Sequence, residues 1–436
     1  MKTIKISKGI CISVIFAFIL ASLPFKAFSQ QEVRIRITEG MPMIPVALPD
    51  FQSNEKSAAD EKTKTDIYQV LWNDLKYSRV FKLVPKEYYT YIQKFDPKNI
   101  RFKDWTSIQA NILIVGQIEV TSEDRVVFSM RVYDVRSEKF IFGRNFGGKK
   151  EFIRLIAHRA ADEMMKYFGE KPIFTTKIVF VSIRDGNNEI YMMDYDGKRP
   201  RRITFNEDID VIPSWSADNE KILYTSYRKG NPDLYMFHLY TGKTELISTG
   251  RANYSADWSK ENDKIVFTST KSGNAEIYIK DPKTGKEKRL TFNRAIDTTP
   301  CWSPSGNEIV FTSQRSGTPQ LYIMDAEGTN VRRITHDGTY HDSPAWSPDG
   351  TRIVYVSRIE GRFDVYIYNL KDNTIAKLTE KSGRNENPSW SPDGRHIVFA
   401  SNRSGSYQLY SIDYDATNLR QLTSRGENKM PKWQKR

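Results

Sequence analysis

Three aspartates, Asp210, Asp297 and Asp342, recur just ahead of tryptophans in the second half of this chain, and their type and spacing come nearest to chemistry. Grouped around a common axis, they could hold a cation through carboxylate oxygens or work as an acid and base pair. An aspartate ahead of a strand more commonly caps its loop by accepting backbone N–H bonds, so capping or partner contact is favoured over metal binding. The five histidines, His158, His238, His336, His341 and His396, include none spaced with another His or Cys as a zinc site requires. A serine hydrolase needs a Gly-x-Ser-x-Gly elbow to hold its nucleophile on a sharp turn. The only glycines four apart, Gly143 and Gly147, have Asn145 between them. No catalytic residue, cofactor or metal is therefore expected, which leaves binding as the function to look for, of a protein partner or, as the alternative, in a peptidase-associated propeller or one whose central channel admits a glycan or small ligand.

The elements that would position these residues are set by a repeat. Trp215, Trp258, Trp302, Trp346, Trp390 and Trp433 stand 43 or 44 residues apart. The fullest copies read Pro344-Ala345-Trp346-Ser347-Pro348-Asp349-Gly350 and Pro388-Ser389-Trp390-Ser391-Pro392-Asp393-Gly394. Each is followed by an apolar alternating run, a turn, a Val-Tyr or Leu-Tyr pair and a closing Lys377-Leu378-Thr379 or Gln421-Leu422-Thr423, a close that reads Arg/Lys-Leu/Ile-Thr in most units. Proline fixes one turn dihedral and glycine accepts positive φ, so the Trp strand should fold back on the next run as a hairpin. Four short strands per unit of this period indicate propeller blades, which bury their faces only by stacking around an axis.

The first unit, starting at Lys177-Ile178-Val179, lacks a Trp segment before it, while Met430-Pro431-Lys432-Trp433 begins a unit that goes no further. The last strand should thus complete the first blade and close a six-bladed ring. Because the Trp position is built alike in every unit, core packing is favoured for it over ligand stacking. Arg184, Arg228, Arg315 and Arg403 in the Ser-x-Arg turns read likewise as turn-bracing or solvated residues.

Ahead of the propeller lies an α/β domain. A helix is expected over 59–77 and strands over 81–84, 111–120, 125–135 and 139–146. A second helix over 149–168 has Ile153, Ile156, Ala157, Ala160, Ala161, Met164 and Phe168 on one face, and Gly169-Glu170-Lys171-Pro172 ends it.

Residues 1–29 combine Lys2, Lys5 and Lys8, an apolar stretch from Ile10 to Leu23, and Ala27-Phe28-Ser29. That is the pattern of a cleavable export signal, its apolar run short for a membrane span. Its removal would lower the formal net charge from +13 to +9. The remaining positive charge is scattered over strand faces and turns rather than massed on one element, which argues against nucleic-acid binding. Only Cys301 would remain, so no intrachain disulfide is expected. The domains expected are a signal at 1–29, an N-terminal segment at 30–51, the α/β domain at 52–172 and the propeller at 173–436. In the segment, Glu32-Val33-Arg34-Ile35-Arg36-Ile37-Thr38-Glu39-Gly40 opens with strict alternation, a strand that could pair with its own domain's sheet or with a partner.

This order of export signal, Glu32-Val33-Arg34-Ile35, α/β domain and Trp-Ser-Pro-Asp-Gly-type repeats through Trp433 resembles the TolB family of the periplasmic Tol-Pal system, over essentially the whole chain. The resemblance implies a non-enzymatic periplasmic link between the outer-membrane lipoprotein Pal and the inner-membrane TolA, TolQ and TolR complex, supporting envelope integrity and invagination at division. It implies that residues Glu32 to Gly40 bind the C-terminal domain of TolA and that Pal sits over one end of the propeller. The matching loops entering the Trp strands are Asp208-Ile209-Asp210, Asn253-Tyr254-Ser255, Asp297-Thr298, Tyr340-His341-Asp342, Asn385-Glu386-Asn387 and Asn428-Lys429. A chain that is monomeric alone is expected. The third repeat departs, with Ala256-Asp257-Trp258-Ser259-Lys260-Glu261-Asn262-Asp263 lacking both the proline before Trp and the Pro-Asp-Gly turn.

Overall fold

The computed structural model describes residues 42–53, 58–92, 95–121, 124–359, 361–380 and 382–435. The expected signal and the segment Glu32 to Gly40 lie outside the described residues. Among those described, no helix is long and apolar enough to cross a membrane.

The N-terminal sheet is built from β1 (Ile44–Ala47), β2 (Gln52–Ser53), β3 (Phe81–Leu83), β4 (Ile112–Val120), β5 (Arg125–Asp134) and β6 (Lys139–Lys149). Its order is β3-β1-β4-β5-β6, with β2 beside β4. The pairs β1 to β3 and β1 to β4 are parallel, and the β4 to β5 and β5 to β6 pairs are antiparallel. Helices α1 (Ala58–Tyr77) and α2 (Ile153–Tyr167) pack their apolar faces on one side, burying Ile67, Leu71, Ala157, Ala160 and Met164 with Val46, Ile114 and Phe128. The sheet begins earlier than the boundary expected at 52, because β1 supplies an inner strand. The sequence around it hides this, since Pro45 within a four-residue run argues against a central strand. The structure tolerates Pro45 because the β1 to β4 ladder starts one residue later, at Val46↔Ile112. Gly116 in β4 lies under the Phe51 ring, where an added Cβ would come within 2.2 Å of that side chain.

Six four-stranded sheets follow, and the terminal strand Asn428–Trp433 pairs antiparallel with Lys177–Ser182 to complete the first. The expected closure of a six-bladed ring is therefore what the fold uses. The second strand of each blade, for example Arg352–Ile359, is buried on both faces over its central residues and so reads as a near-continuous apolar run. All six tryptophans are buried, as core packing requires. The indoles of Trp215 and Trp390 donate to carbonyls of the neighbouring blade, at Lys432 and Ala345, each at 3.1 Å. In the third blade Trp258 instead donates to Asp263 of its own turn at 2.9 Å. Asp263 also takes the positive φ that Gly306, Gly350 and Gly394 take one position earlier in their turns. The departure seen in the third repeat is thus a locally rebuilt turn.

A feature absent from the sequence reading is a bulge in every Trp strand. The ladder slips after the second residue, and the third residue has positive φ in all six: Ile212, Ser255, Thr299, Ser343, Asn387 and Met430. The bulge bends each strand toward the axis, so these residues and the proline after each, Ala256 in the third blade, line the upper channel.

Candidate partner-binding rim and interdomain joint

The loops entering the Trp strands gather on one end of the ring, but their residues divide into two layers. Asp210, Asn253, Asp297, His341, Asn385 and Asn428 occupy one equivalent position, the first of the Trp strand, and each is at most 1% exposed. They cannot present side chains to a partner. This corrects the expectation for Asp210, Asn253, Asp297, His341 and Asn428 as surface contacts.

The reason is visible in the arginines of the Ser-x-Arg turns. Arg315 donates to Asp297 at 2.9 Å, Arg403 to Asn385 at 2.8 Å and Arg184 to Asn428 at 3.0 Å, and Arg228 stands 3.6 Å from Asp210. Each guanidinium also donates through Nε to the serine two residues earlier and lies over one or two rings of its own blade, as Arg315 does over Tyr322. The turn-bracing reading of these arginines holds, and their partners are the buried anchors of the entry loops. In the fifth blade Ile359 follows where the other blades place a cation, and the anchor is His341. Its Nε2 bonds the Asp337 carbonyl, and burial pushes its pKa below the ordinary histidine value, so the ring stays neutral there.

The outer layer does reach solvent. Asp208 is exposed, and Tyr254, Ser255, Thr298, Tyr340, Asp342, Glu386 and Asn387 are half-buried. Asp342 is the most connected: Thr299 and Thr312 donate to its Oδ1 at 2.9 Å each, and the Tyr340 hydroxyl donates to Oδ2 at 3.0 Å. Burial and the neighbouring Asp342 carboxylate push the Tyr340 phenol well above its ordinary value, keeping it a proton donor. Asp210, Asp297 and Asp342 do not converge on a cation, because arginines take the first two and hydroxyls the third. Missing from the sequence reading are Phe205 and Phe292, 75% and 74% exposed, beside the exposed Ile209 and Ile296. The signal was present, because only these two repeats follow the closing Arg-Leu/Ile-Thr with Phe-Asn.

At the opposite end, the N-terminal domain is joined to the first and sixth blades. His158 Nδ1 on α2 lies 2.7 Å from Asp74 Oδ2 on α1, and the Tyr195 hydroxyl of the first blade donates to Asp74 Oδ1 at 2.6 Å. Arg154 pairs with Asp196, Arg79 with Asp415 at 2.8 Å, and Arg395 with Glu170 at 2.8 Å. Tyr77 stacks on His396 with ring centroids 4.0 Å apart. His158, Asp194 and Asp196 form the one group of possible metal ligands within 4.8 Å of one another among the described residues. Lys177 and Arg154 already neutralise the two carboxylates, which makes this cluster part of the joint.

Comparison with known proteins matches both parts of the chain. The model of the TolB amino-terminal domain covers residues 33–141, and that of the TolB beta propeller domain covers residues 165–365 and 340–436. The chain belongs to the TolB family. The Tol-Pal system protein TolB of Desulfosudis oleivorans is 33% identical over 243 residues, covering 54% of this chain and 55% of that protein. That of Paramagnetospirillum magneticum is 33% identical over 225 residues, 50% of each. The chain thus spans about half the length of these TolB relatives. The crystal structure of TolB from Acinetobacter baumannii superposes with a TM-score of 0.76 at 25% identity, over 90% of this chain and 97% of that one.

Proposed function

We propose that this chain is a non-enzymatic, periplasmic interaction protein of the Tol-Pal system. It holds Pal on the outer layer of the propeller rim and offers residues 32–40 to TolA. The observation that carries this reading is that one chain contains both TolB family domains, the amino-terminal one ahead of the propeller. The rim supports it physically: firm, buried anchors underlie loops whose outer residues can vary without disturbing the blades. Exposed Phe205 and Phe292 add the apolar area a protein partner would cover.

Two outcomes follow. Thr298→Trp should weaken binding of the Pal periplasmic domain at least about tenfold in calorimetry and leave the thermal melt nearly unchanged, because surface changes stay within about 0.5 kcal/mol. Asp297→Ala, one residue away, should instead lower stability by about 1–3 kcal/mol, since it leaves Arg315 unpaired over a buried site. Unaltered Pal binding by the Thr298 variant removes the rim from the proposal. Deleting residues 32–40 should abolish binding of the TolA C-terminal domain while the fold is retained, because such a segment adds as a strand through main-chain hydrogen bonds. Retained TolA binding would refute that role.

A further inference from the structure

The channel end opposite the rim opens into a cavity of about 280 Å³ among the turns that follow the tryptophans. Indoles and the ring faces of Pro304, Pro348 and Pro392 form its walls. The residue just before each tryptophan forms an inner layer, which reads Lys432, Ser214, Asp257, Cys301, Ala345 and Ser389 around the ring.

Charge in this layer does not balance. Asp257 is 1% exposed and already satisfied: Lys435 Nζ donates to its Oδ1 at 2.6 Å and the Trp302 N–H to its Oδ2 at 3.0 Å. Burial acts to raise the pKa of Asp257, but Lys435 and Lys432 outweigh it and hold the carboxyl below its ordinary value. Burial, with Asp257 nearby, pushes the Cys301 thiol up to about 11, so it adds no negative charge. Lys432 lines both this cavity and the upper channel, half-buried, and among the described residues its ammonium has no hydrogen-bond or ion-pair partner. Ser214, 1% exposed on the same wall, has a hydroxyl equally without a partner among the described residues. Two lysines thus meet one carboxylate, and Lys171 and Lys260 at the margin add to the excess over Glu261. Partly desolvated charge without a counter-charge is unfavourable, and an anion would relieve it.

We propose that this cavity binds a compact organic anion, with one carboxylate or phosphate head against Lys432 and an apolar body against the indole and proline walls. The volume lies near the lower limit of about 300 Å³ for small-molecule sites, which favours a small ligand over a chain segment. Ser214 is the neutral donor available to the head. Serine at the equivalent position of two other blades shows that the propeller does not need a lysine there to fold.

The test uses the full chain with benzoate, inorganic phosphate and neutral benzamide, read by thermal shift and calorimetry. Benzoate should raise the melting temperature saturably, as ligand linkage requires, phosphate should do so more weakly, and benzamide should not. Lys432→Ser should weaken benzoate binding at least about tenfold, the loss of one charge-assisted hydrogen bond, with the unliganded melt little changed. Lys432→Gln, which removes the charge while keeping most of the side chain's length, serves if the serine variant fails to fold. Equal shifts with benzoate and benzamide, no saturable shift with either anion, or undiminished benzoate binding in the Lys432 variant would each overturn the proposal.

Discussion

Removal of residues 431–436 is expected to lower the melting temperature of the propeller by at least about 10 °C, a loss of more than about 3–5 kcal/mol. The deletion takes away half of the innermost strand of the first blade, including the pairings Lys432↔Val179 and Trp433↔Ile178. Trp433 is 2% exposed, donates from its indole to Thr176 at 2.9 Å, and donates from its backbone N–H to the Ser389 hydroxyl oxygen at 3.1 Å. Its removal therefore opens the contact between the first and sixth blades. The carbonyl of Lys432 that accepts from Trp215 is lost as well, so the contact with the second blade loosens too. Trp433→Ala in the full-length chain separates the two contributions, since it retains the strand and should cost about 3–5 kcal/mol by itself. Calorimetric melts of the three proteins decide the matter, and a truncated chain that melts with the intact one would mean that the ring does not depend on this closure.

The second large effect is expected at the interdomain joint. Asp74→Ala removes the acceptor for both His158 and Tyr195 in a site where Asp74 is 1% exposed and His158 2%. Breaking such a buried pair costs about 3–5 kcal/mol, because the remaining partners are left buried without compensation. Burial acts to lower the pKa of His158, and the Asp74 carboxylate overcomes it, so the folded value stands above the ordinary one. The native state therefore holds the proton more tightly than the unfolded chain. The stabilisation is present below the unfolded histidine value of about 6.5, down to the range where Asp74, its carboxyl raised by its own burial, takes up a proton, and it is lost as pH rises through the folded histidine value. Arg154, Asp196 and Tyr195 face the same imidazole, and the variant leaves them in place. Melts at several pH values and protease cleavage across residues 169–172 should both register the change. Domain docking that is equally stable in the variant at every pH would exclude the joint as a source of stability.

Much of this architecture was legible because it is local and repeated. A Trp strand, a turn with Pro and Gly, and a run such as Arg352–Ile359 each specify their own hairpin, and six copies specify a ring. Closure could be read from the unpaired Trp segment at residue 433 and its missing counterpart before residue 177. The apolar face of the helix Ile153–Tyr167 was legible for the same reason, since a 3.6-residue period shows without knowledge of what it packs against.

What the sequence could not settle depends on which groups meet across the fold. Asp210 and Asp297 look in sequence like surface carboxylates of polar loops, and only the arrival of Arg228 and Arg315 from the neighbouring strand connection makes them buried anchors. A β-bulge leaves no composition signal when the residue at positive φ is Ile212, Thr299 or Met430, so the inward bend of every Trp strand appeared only in three dimensions. Pro45 concealed β1 because strand propensity carries no information about where a ladder begins. The Asp74, His158 and Tyr195 joint spans 121 residues of sequence. The imbalance between Asp257, Lys435 and Lys432 exists only because ring closure carries the terminal strand back to the axis. Local periodicity determined the elements and their count, and tertiary packing decided which charged residues are anchors, which are surface and which face the channel, because burial and pairing are properties of the neighbours a residue acquires on folding.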